Sequence, residues 1–437
     1  MTEVENNNNN NNNKGPAFSE DLLRMYYARL FPYELFCQWL AYEPGPSPDP
    51  TKPLEKLGTR ELCFTLKDDI YCRYQTFGCA AELKAMMLKK MPHKIDIGAV
   101  FNSPMRDHKS PSFRADEREL VFDVDLSDYD DVRTCCQGAT VCRKCWQFIV
   151  AAVKVLDAIL RYDFGFDHLL WVYSGRRGVH CWVCDRVARE LTNEARTALV
   201  SYCSLARSSD HAAALTWPLH PSLARAFDIV EPIFARDVVS DDGQQLLATP
   251  ENWTKVLRRL PDDTAALIAD HWATRDSTPA QKWAALKTQL RTTTTTTTTT
   301  ANASDRSAAK KQKRAVVSDL WKYETVFAYV YPRLDDNVSK QRNHLLKAPF
   351  AAHPKTGRVC VPFDPTIVED FDPCAVPTLG DLAAQIDAGE ADTDLAKTDL
   401  RHAVDFFKRS FLAPLLGAVA KERHDQRERE AAAAGLF

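Results

Sequence analysis

The sequence has almost no net charge: 56 Lys and Arg against 59 Asp and Glu leave a formal −3 over 437 residues. That excludes a uniformly basic surface and confines any contact with a polyanion to a local patch. No apolar run is long enough to span a bilayer, and the opening Met-Thr-Glu-Val-Glu carries neither the basic start nor the apolar stretch of a secretory signal. The expectation is an intracellular protein that does not engage a membrane. A disulfide framework is also missing, since the 13 Cys are odd in number and scattered among apolar stretches, a usage that favours reduced thiols and a metal site. What is present, 45% hydrophobic and 26% charged residues, suits a soluble globular chain of one or two domains with a large core.

The stretch Glu119-Leu120-Val121-Phe122-Asp123-Val124-Asp125-Leu126 reads as a β-strand with two carboxylates. Alternation places Leu120, Phe122, Val124 and Leu126 on one face and Val121, Asp123 and Asp125 on the other. Residues two apart on a strand are about 6.5 Å apart, so both carboxylates can lean onto one cation or cation pair. Two such charges repel unless neutralised, and Mg²⁺ or Mn²⁺, hard cations that prefer oxygen, would do so.

Other elements follow from pattern. Ser19 can cap a helix with Glu20 and Asp21 in its first turn, Pro32 interrupts it, and a second short helix runs through Phe36 and Trp39. Five prolines and a glycine make Pro44–Pro53 a loop. Strands are predicted from Glu61 through Leu66, at Ile70–Tyr74 after a turn at 67–69, and at Lys94–Val100; these are expected to share one mixed sheet with the Asp-bearing strand. Ile149, Val153, Leu156 and Leu160 repeat at the spacing of one helix face. His168–Tyr173 and Val179–Val183 are strands joined by a tight turn at Ser174–Gly178, and residues 186–290 read as helices. The last segment, through Phe406, Phe411, Leu415 and Leu416, is an amphipathic helix with a charged tail expected to pack on the core, with a partner's surface as the alternative. Asn6–Asn13 and Thr292–Thr300 are low-complexity tracts, and Lys310–Arg314 is a short basic run that fits a nuclear signal and a solvated linker equally well.

Two further groupings carry chemistry. Cys135, Cys136, Cys142 and Cys145 have the density of a four-thiolate zinc site with a Cys-x-x-Cys half, and a closed sulfur shell makes such a metal structural. Ser174-Gly175-Arg176-Arg177-Gly178-Val179-His180 joins two strands through a glycine-flanked turn with two guanidiniums, a hydroxyl and an imidazole. Backbone N–H groups freed by such a turn, together with forked arginine donors, suit a polyphosphate.

From Asp123 through Cys145 the sequence resembles the small, catalytic subunit of eukaryotic DNA primase, of the archaeo-eukaryotic primase superfamily. The resemblance extends from about Tyr26 to about Pro377 around a divergent middle. It supplies the adjacent Cys-Cys pair of the zinc motif. It implies that Ser174, Arg176, Arg177 and His180 hold an incoming triphosphate, with Lys347 and His353 as further phosphate contacts. Glu61, Tyr71, Arg73, Lys94 and Asp96 would line the active-site cleft. In Tyr331-Pro332-Arg333-Leu334-Asp335-Asp336-Asn337-Val338-Ser339, Asp335 matches the third catalytic carboxylate, expected on a short strand with Leu334 and Val338 on its opposite face. Asp336 stands where an apolar residue is common, so the choice of Asp335 rests on the family pattern and not on spacing.

The resemblance therefore implies an α+β fold: a two-part mixed-sheet catalytic core with a zinc motif at its edge and an inserted helical subdomain. The expected layout is an Asn-rich disordered start (1–17), the first part of the core (18–190) with its zinc motif (135–145), and a helical insertion (191–290). A linker (291–316), the second part of the core (317–408) and a C-terminal helix with a charged tail (409–437) follow. The implied function is template-directed synthesis of RNA primers on single-stranded DNA from ribonucleoside triphosphates, with Asp123, Asp125 and Asp335 holding Mg²⁺ or Mn²⁺. The implied partners are an iron–sulfur-containing large primase subunit and the DNA polymerase alpha complex, working in the nucleus. Two rivals are a repair or translesion primase-polymerase, which would carry a zinc module near its C-terminus, and a non-catalytic zinc-bearing nucleic-acid-binding subunit, which would not need the three carboxylates together with the phosphate-binding residues.

Overall fold

The structure, a computed structural model, describes residues 18–43, 53–205, 215–298 and 320–433. The asparagine tract, most of the proline-rich loop and the basic run at Lys310–Arg314 lie outside the described residues.

The chain enters through α1 (Glu20–Arg29), whose Leu22 N–H is capped by the Ser19 hydroxyl at 3.2 Å. α2 (Tyr33–Ala41) restarts directly after Pro32, which has no N–H to continue the first helix. Two antiparallel sheets follow. The first contains β1 (Arg60–Thr65), β2 (Tyr71–Gln75), β3 (Lys94–Phe101) and β4 (Ala115–Glu117) in the order β2-β1-β3-β4, and β8 (Leu346–Lys347) also pairs with β3. The second is ordered β5-β7-β6-β9, from β5 (Leu120–Asp125), β6 (Leu169–Tyr173), β7 (Gly178–Val183) and β9 (Pro362–Phe363).

Two expectations are corrected here. The Asp-bearing strand β5 does not join β1, β2 and β3; it pairs with β7 in a sheet of its own. Neither sheet is mixed, because every pairing is antiparallel. The physical reason is connectivity: the β1–β2 and β6–β7 links are a few residues long, which permits hairpins and leaves no room for a parallel crossover. Alternation with period two is the same in both kinds of sheet, so the pattern alone could not separate them.

One continuous apolar core runs under both sheets and through the helices. α3 (Ala80–Lys90) buries Leu83 and Met87 in it. α4 (Arg143–Ala158) buries Ile149, Val153 and Leu156 there, with Leu160 just beyond, as their spacing indicated. The C-terminal segment packs on this core: Phe407 and Phe411 meet the Trp39 ring at 6.0 and 6.2 Å, and Arg423 donates to the Tyr42 carbonyl at 3.1 Å. Residues 191–290 are helical as read. The helix Pro279–Thr298 carries regular backbone into the polythreonine tract. Residues 320–330 form a helix that packs on this helical region through Trp321 on Trp283 and Phe327 on Phe227. Among the described residues no helix is long and apolar enough to cross a membrane.

Candidate active site and metal centre

Strand β5 presents its carboxylates where the apolar face ends. Leu120, Val121, Phe122 and Val124 are fully buried, while Asp123 and Asp125 keep 27% and 33% of their side chains exposed toward a cleft of about 690 Å³. Asp335 lines the same cleft although it lies far along the chain. Its backbone N–H donates to the Asp123 carbonyl at 3.1 Å, and the Ser339 hydroxyl donates to the Val121 carbonyl. The segment carrying Asp335 is thus stitched along the free edge of β5. Asp335 is not on a strand, contrary to expectation; it is the N-cap of the short helix Asp336–Lys340, accepting from the Asn337 N–H at 3.0 Å. An Asp before a helix start satisfies an orphan backbone donor, a signal that Asp-Asp-Asn-Val-Ser contains. Asp336 also lines the cleft, where its carboxylate is engaged by Lys340 at 2.9 Å and by the Ser204 hydroxyl at 3.4 Å.

The electrostatics are those of crowded carboxylates. Burial, then the charges of Asp125 and Asp335, push the Asp123 carboxyl up to about 7. Burial works the same way on Asp125, but the Arg177 guanidinium (2.6 and 2.8 Å) and the N–H and hydroxyl of Ser127 (2.8 Å each) hold it below the usual range. Asp128, on the same lining, is raised by burial and by Asp125 and Asp335. Oxygen donors that repel one another in a half-buried cleft fit a hard divalent cation. The three aspartates share the cleft, with Asp125 turned onto Arg177.

The β6–β7 hairpin supplies the opposite charge. Gly175 adopts φ +83°, and a side chain there would collide with His353, so only glycine lets the turn pass beneath that loop. Gly178 lies against β5, where an added Cβ would come within 2.4 Å of the Val124 carbonyl. His180 pairs in register with Asp123, its Nε2 3.8 Å from the carboxylate; burial, then the Lys347 charge, lowers its pKa to about 3, so the ring is neutral. Lys347 donates to the Ser174 carbonyl at 3.1 Å and pairs in register with Asp96. His353 is likewise lowered to about 3 by burial, then by Lys347, Arg176 and Lys94. The structure therefore brings Ser174, Arg176, Arg177, His180, Lys347, His353, Lys94 and Asp96 around one basic corner beside the aspartates.

Glu61, Tyr71 and Arg73 lie on the neighbouring strands β1 and β2 of the first sheet. Glu61 is fully buried and takes the Arg73 guanidinium at 2.8 and 3.0 Å. Tyr71 is 55% exposed on β2, near Asp96 by way of Cys63. Sequence reasoning assigned no role to Ser127 or Asp128, nor to Arg333, which clamps the Asp128 carbonyl and Asp131 and lies over the Tyr129 ring. The latter contacts join segments remote in sequence, so no local spacing announced them.

The four cysteines form a second centre. Their sulfur atoms all lie within 4.8 Å of one another, with Cys142 3.5 Å from Cys135 and 3.8 Å from Cys145. Four thiolates at about 2.3 Å around a tetrahedral ion stand about 3.8 Å apart, so the set fits zinc. Arg133 braces the loop through Asp130, the Gly138 carbonyl (2.8 Å) and the Thr140 carbonyl (3.0 Å). Gln244, from the helical region, accepts from the Thr134 N–H at 2.6 Å and donates to the Cys135 sulfur at 3.3 Å, a support that the sequence did not announce.

The family model described as DNA primase small subunit matches residues 122–365. A DNA primase small subunit of Drosophila melanogaster is 42% identical over 388 residues, covering 85% of this chain and 83% of that one. Relatives of the same description from Schizosaccharomyces pombe and Saccharomyces cerevisiae are 36% identical (89% and 82% covered) and 35% identical (95% and 97% covered). A solved polymerase domain from Mycobacterium tuberculosis Ligase D, in complex with DNA, overlays with a TM-score of 0.26 at 12% identity. It covers 49% of this chain and 64% of that one, a likeness on which nothing below depends.

Proposed function

This chain belongs to the DNA primase small subunit family, and from that premise we propose that its acidic cleft carries out template-directed nucleotidyl transfer, making RNA primers on single-stranded DNA. The observation that carries the reading is the docking of Asp335 beside Asp123, within one cleft that adjoins the basic corner of Ser174, Arg176, His180, Lys347 and His353.

Each side of the site has a separable task. Asp123, Asp125 and Asp335 would hold Mg²⁺ or Mn²⁺, which when bound lowers the pKa of an attacking hydroxyl and neutralises a leaving pyrophosphate. Lys347, Arg176 and the turn around Gly175 receive the triphosphate, with fixed donors aimed where negative charge accumulates. His180 and His353 are neutral in this environment, so they serve as hydrogen-bond groups and not as extra cations. Arg177 stands between the two sides: it pairs with Asp125 here, and it is the guanidinium best placed to turn from that carboxylate to an incoming phosphate. No side chain of the protein needs to act as a nucleophile. The cysteine cluster, held by Arg133 and Gln244 at the end of α4, would bind zinc as a brace.

The family implies a large-subunit partner and a DNA template. An iron–sulfur centre in that partner, hand-over to DNA polymerase alpha and work in the nucleus complete the proposal. The test is a primer-synthesis assay on a single-stranded template with labelled ribonucleotides, with and without the large subunit. Labelled oligoribonucleotides that depend on template and divalent metal are the expected result, and their absence under both conditions would refute the reading.

A further inference from the structure

A second cleft, of about 530 Å³, lies at the opposite end of the helix Asp336–Lys340 from Asp335. Its lining includes Arg73, Tyr74, Phe113, Arg114 and Arg342. Three guanidiniums face one carboxylate there, Glu194. Among the described residues the Arg114 guanidinium pairs with Asp116 at 3.2 Å, both largely exposed, an arrangement that exchanges partners at little cost.

Behind the wall the positive charge is compensated only in part, by Glu119, which is itself paired with Arg60. Arg118, which donates to the Gln341 carbonyl at the edge of the cleft, and Arg196, which feels Arg342, are both buried. Among the described residues neither has a carboxylate at ion-pair distance, and Arg118 leaves Nε and Nη2 without partners. Burial lowers them to about 9 and about 10, with neighbouring arginines adding to this and the Glu119 carboxylate opposing it. A cleft backed in this way attracts an anion.

It also offers flat rings on a stiff support. Tyr74 adopts φ +59°, a strained value for a non-glycine residue. It is held there by Glu61, which accepts from its N–H at 3.2 Å while gripping Arg73, at a bulge in the β1–β2 pairing. The Tyr74 ring stacks on His108 at 4.4 Å, and Phe113 stacks on Phe101 at 4.2 Å. Aromatic faces among guanidiniums suit unpaired bases on a phosphodiester backbone. They do not suit a duplex, whose bases are already stacked. The five-residue helix that separates this cleft from Asp335 spans about 7.5 Å. His344 lies between, within the fields of both Arg73 and Asp335.

We propose that this cleft, through Tyr74, Phe113, Arg114 and Arg342, holds the single-stranded DNA template as it approaches the aspartates. The inference rests on the primer-synthesis reading and assigns that reaction its template path. The test compares wild type, Arg114→Gln and Tyr74→Gly for binding of a labelled single-stranded oligodeoxynucleotide across a salt series. A matched oligoribonucleotide, nucleoside triphosphate binding and large-subunit binding are measured alongside. Arg114→Gln should flatten the slope of log affinity against log salt by about 0.7. Tyr74→Gly, which removes the ring and relaxes the backbone, should weaken the DNA oligonucleotide about fivefold or more. Triphosphate and large-subunit affinities should hold. Unchanged DNA binding in both variants, a larger loss for RNA, or a loss confined to the large subunit would each overturn the proposal. If wild type makes no primers while the variants still lose DNA affinity, the cleft stands and the assigned reaction falls; primers from wild type with unaltered variants sink the cleft alone.

Discussion

The backbone N–H of Asp335 donates to the carbonyl of Asp123 at 3.1 Å, so a main-chain bond that does not involve either carboxylate sets the two residues side by side. Asp335→Ala should therefore abolish primer synthesis while leaving that bond and the fold in place. Loss of the N-cap costs about 1 kcal/mol, offset by relief of repulsion on Asp123. Asp336→Ala, which removes only contacts to Lys340 and Ser204, should keep most activity. Pairing Asp335→Ala with Asp123→Ala or Asp125→Ala should add little to either single loss, because groups that work on the same ions fail together. A dead Asp336→Ala beside a live Asp335→Ala would reverse the assignment.

The raised Asp123 gives the metal-free protein a pH signature. Its folded pKa of about 7 lies above the unfolded value near 3.9, so the native state binds more protons between these values and stability falls as pH rises through that window. His180 and His353, lowered to about 3, act with opposite sign over about 3 to 6.5. The informative quantity is thus the difference from Asp123→Asn. That variant should gain on wild type by roughly 1–4 kcal/mol as pH climbs from 4 to 8, followed by thermal melting in chelator. Parallel pH curves for the two proteins would show that Asp123 is not perturbed.

Arg177 pairs with Asp125 at 2.6 Å in a part-buried setting. Its removal should weaken triphosphate binding about tenfold or more yet tighten binding of Mn²⁺ alone, since a competing cation has gone. Calorimetric titration of Arg177→Ala with each ligand separates these effects. Weaker binding of both would mean that Arg177 merely supports the fold around Asp125.

Cys142→Ser with Cys145→Ser should release one zinc per chain and cost several kcal/mol of folding free energy. The loss should be felt around Thr134 and Gln244, which tie the loop to the helical region. Elemental analysis of wild type that finds no zinc would refute the site.

Gly178→Ala should separate β7 from β5, because the added methyl meets the Val124 carbonyl at 2.4 Å. A destabilisation of about 1–3 kcal/mol with loss of activity is expected. Near-normal melting would show that the two strands can part without harm.

The legibility of the site tracked the range of the interactions involved. Local order was plain: the Ser19 cap, the α4 stripe and the β6–β7 hairpin all follow from spacing within a few residues. The cysteines and the two aspartates of β5 were equally local. Strand partners were not, because period two carries no information about direction or neighbour, and so β5 was placed in the wrong sheet. Asp335 was found through resemblance, but its setting was misread as a strand because Leu334 and Val338 fit alternation as readily as a capped helical turn. The partners that position the chemistry, Arg177 on Asp125 and Gln244 on Cys135, lie across long sequence separations and depend on tertiary packing.

Strand β5 is the outer strand of its sheet, and the backbone and hydroxyl contacts from Asp335 and Ser339 cover its exposed rim. The segment that completes the acidic cleft is therefore also the guard against strand-to-strand association between molecules. An outer strand with buried apolar residues on both faces and no cover is a template for aggregation. A nascent or truncated chain that ends before residue 335 would carry that rim bare and is expected to associate more readily than the full chain.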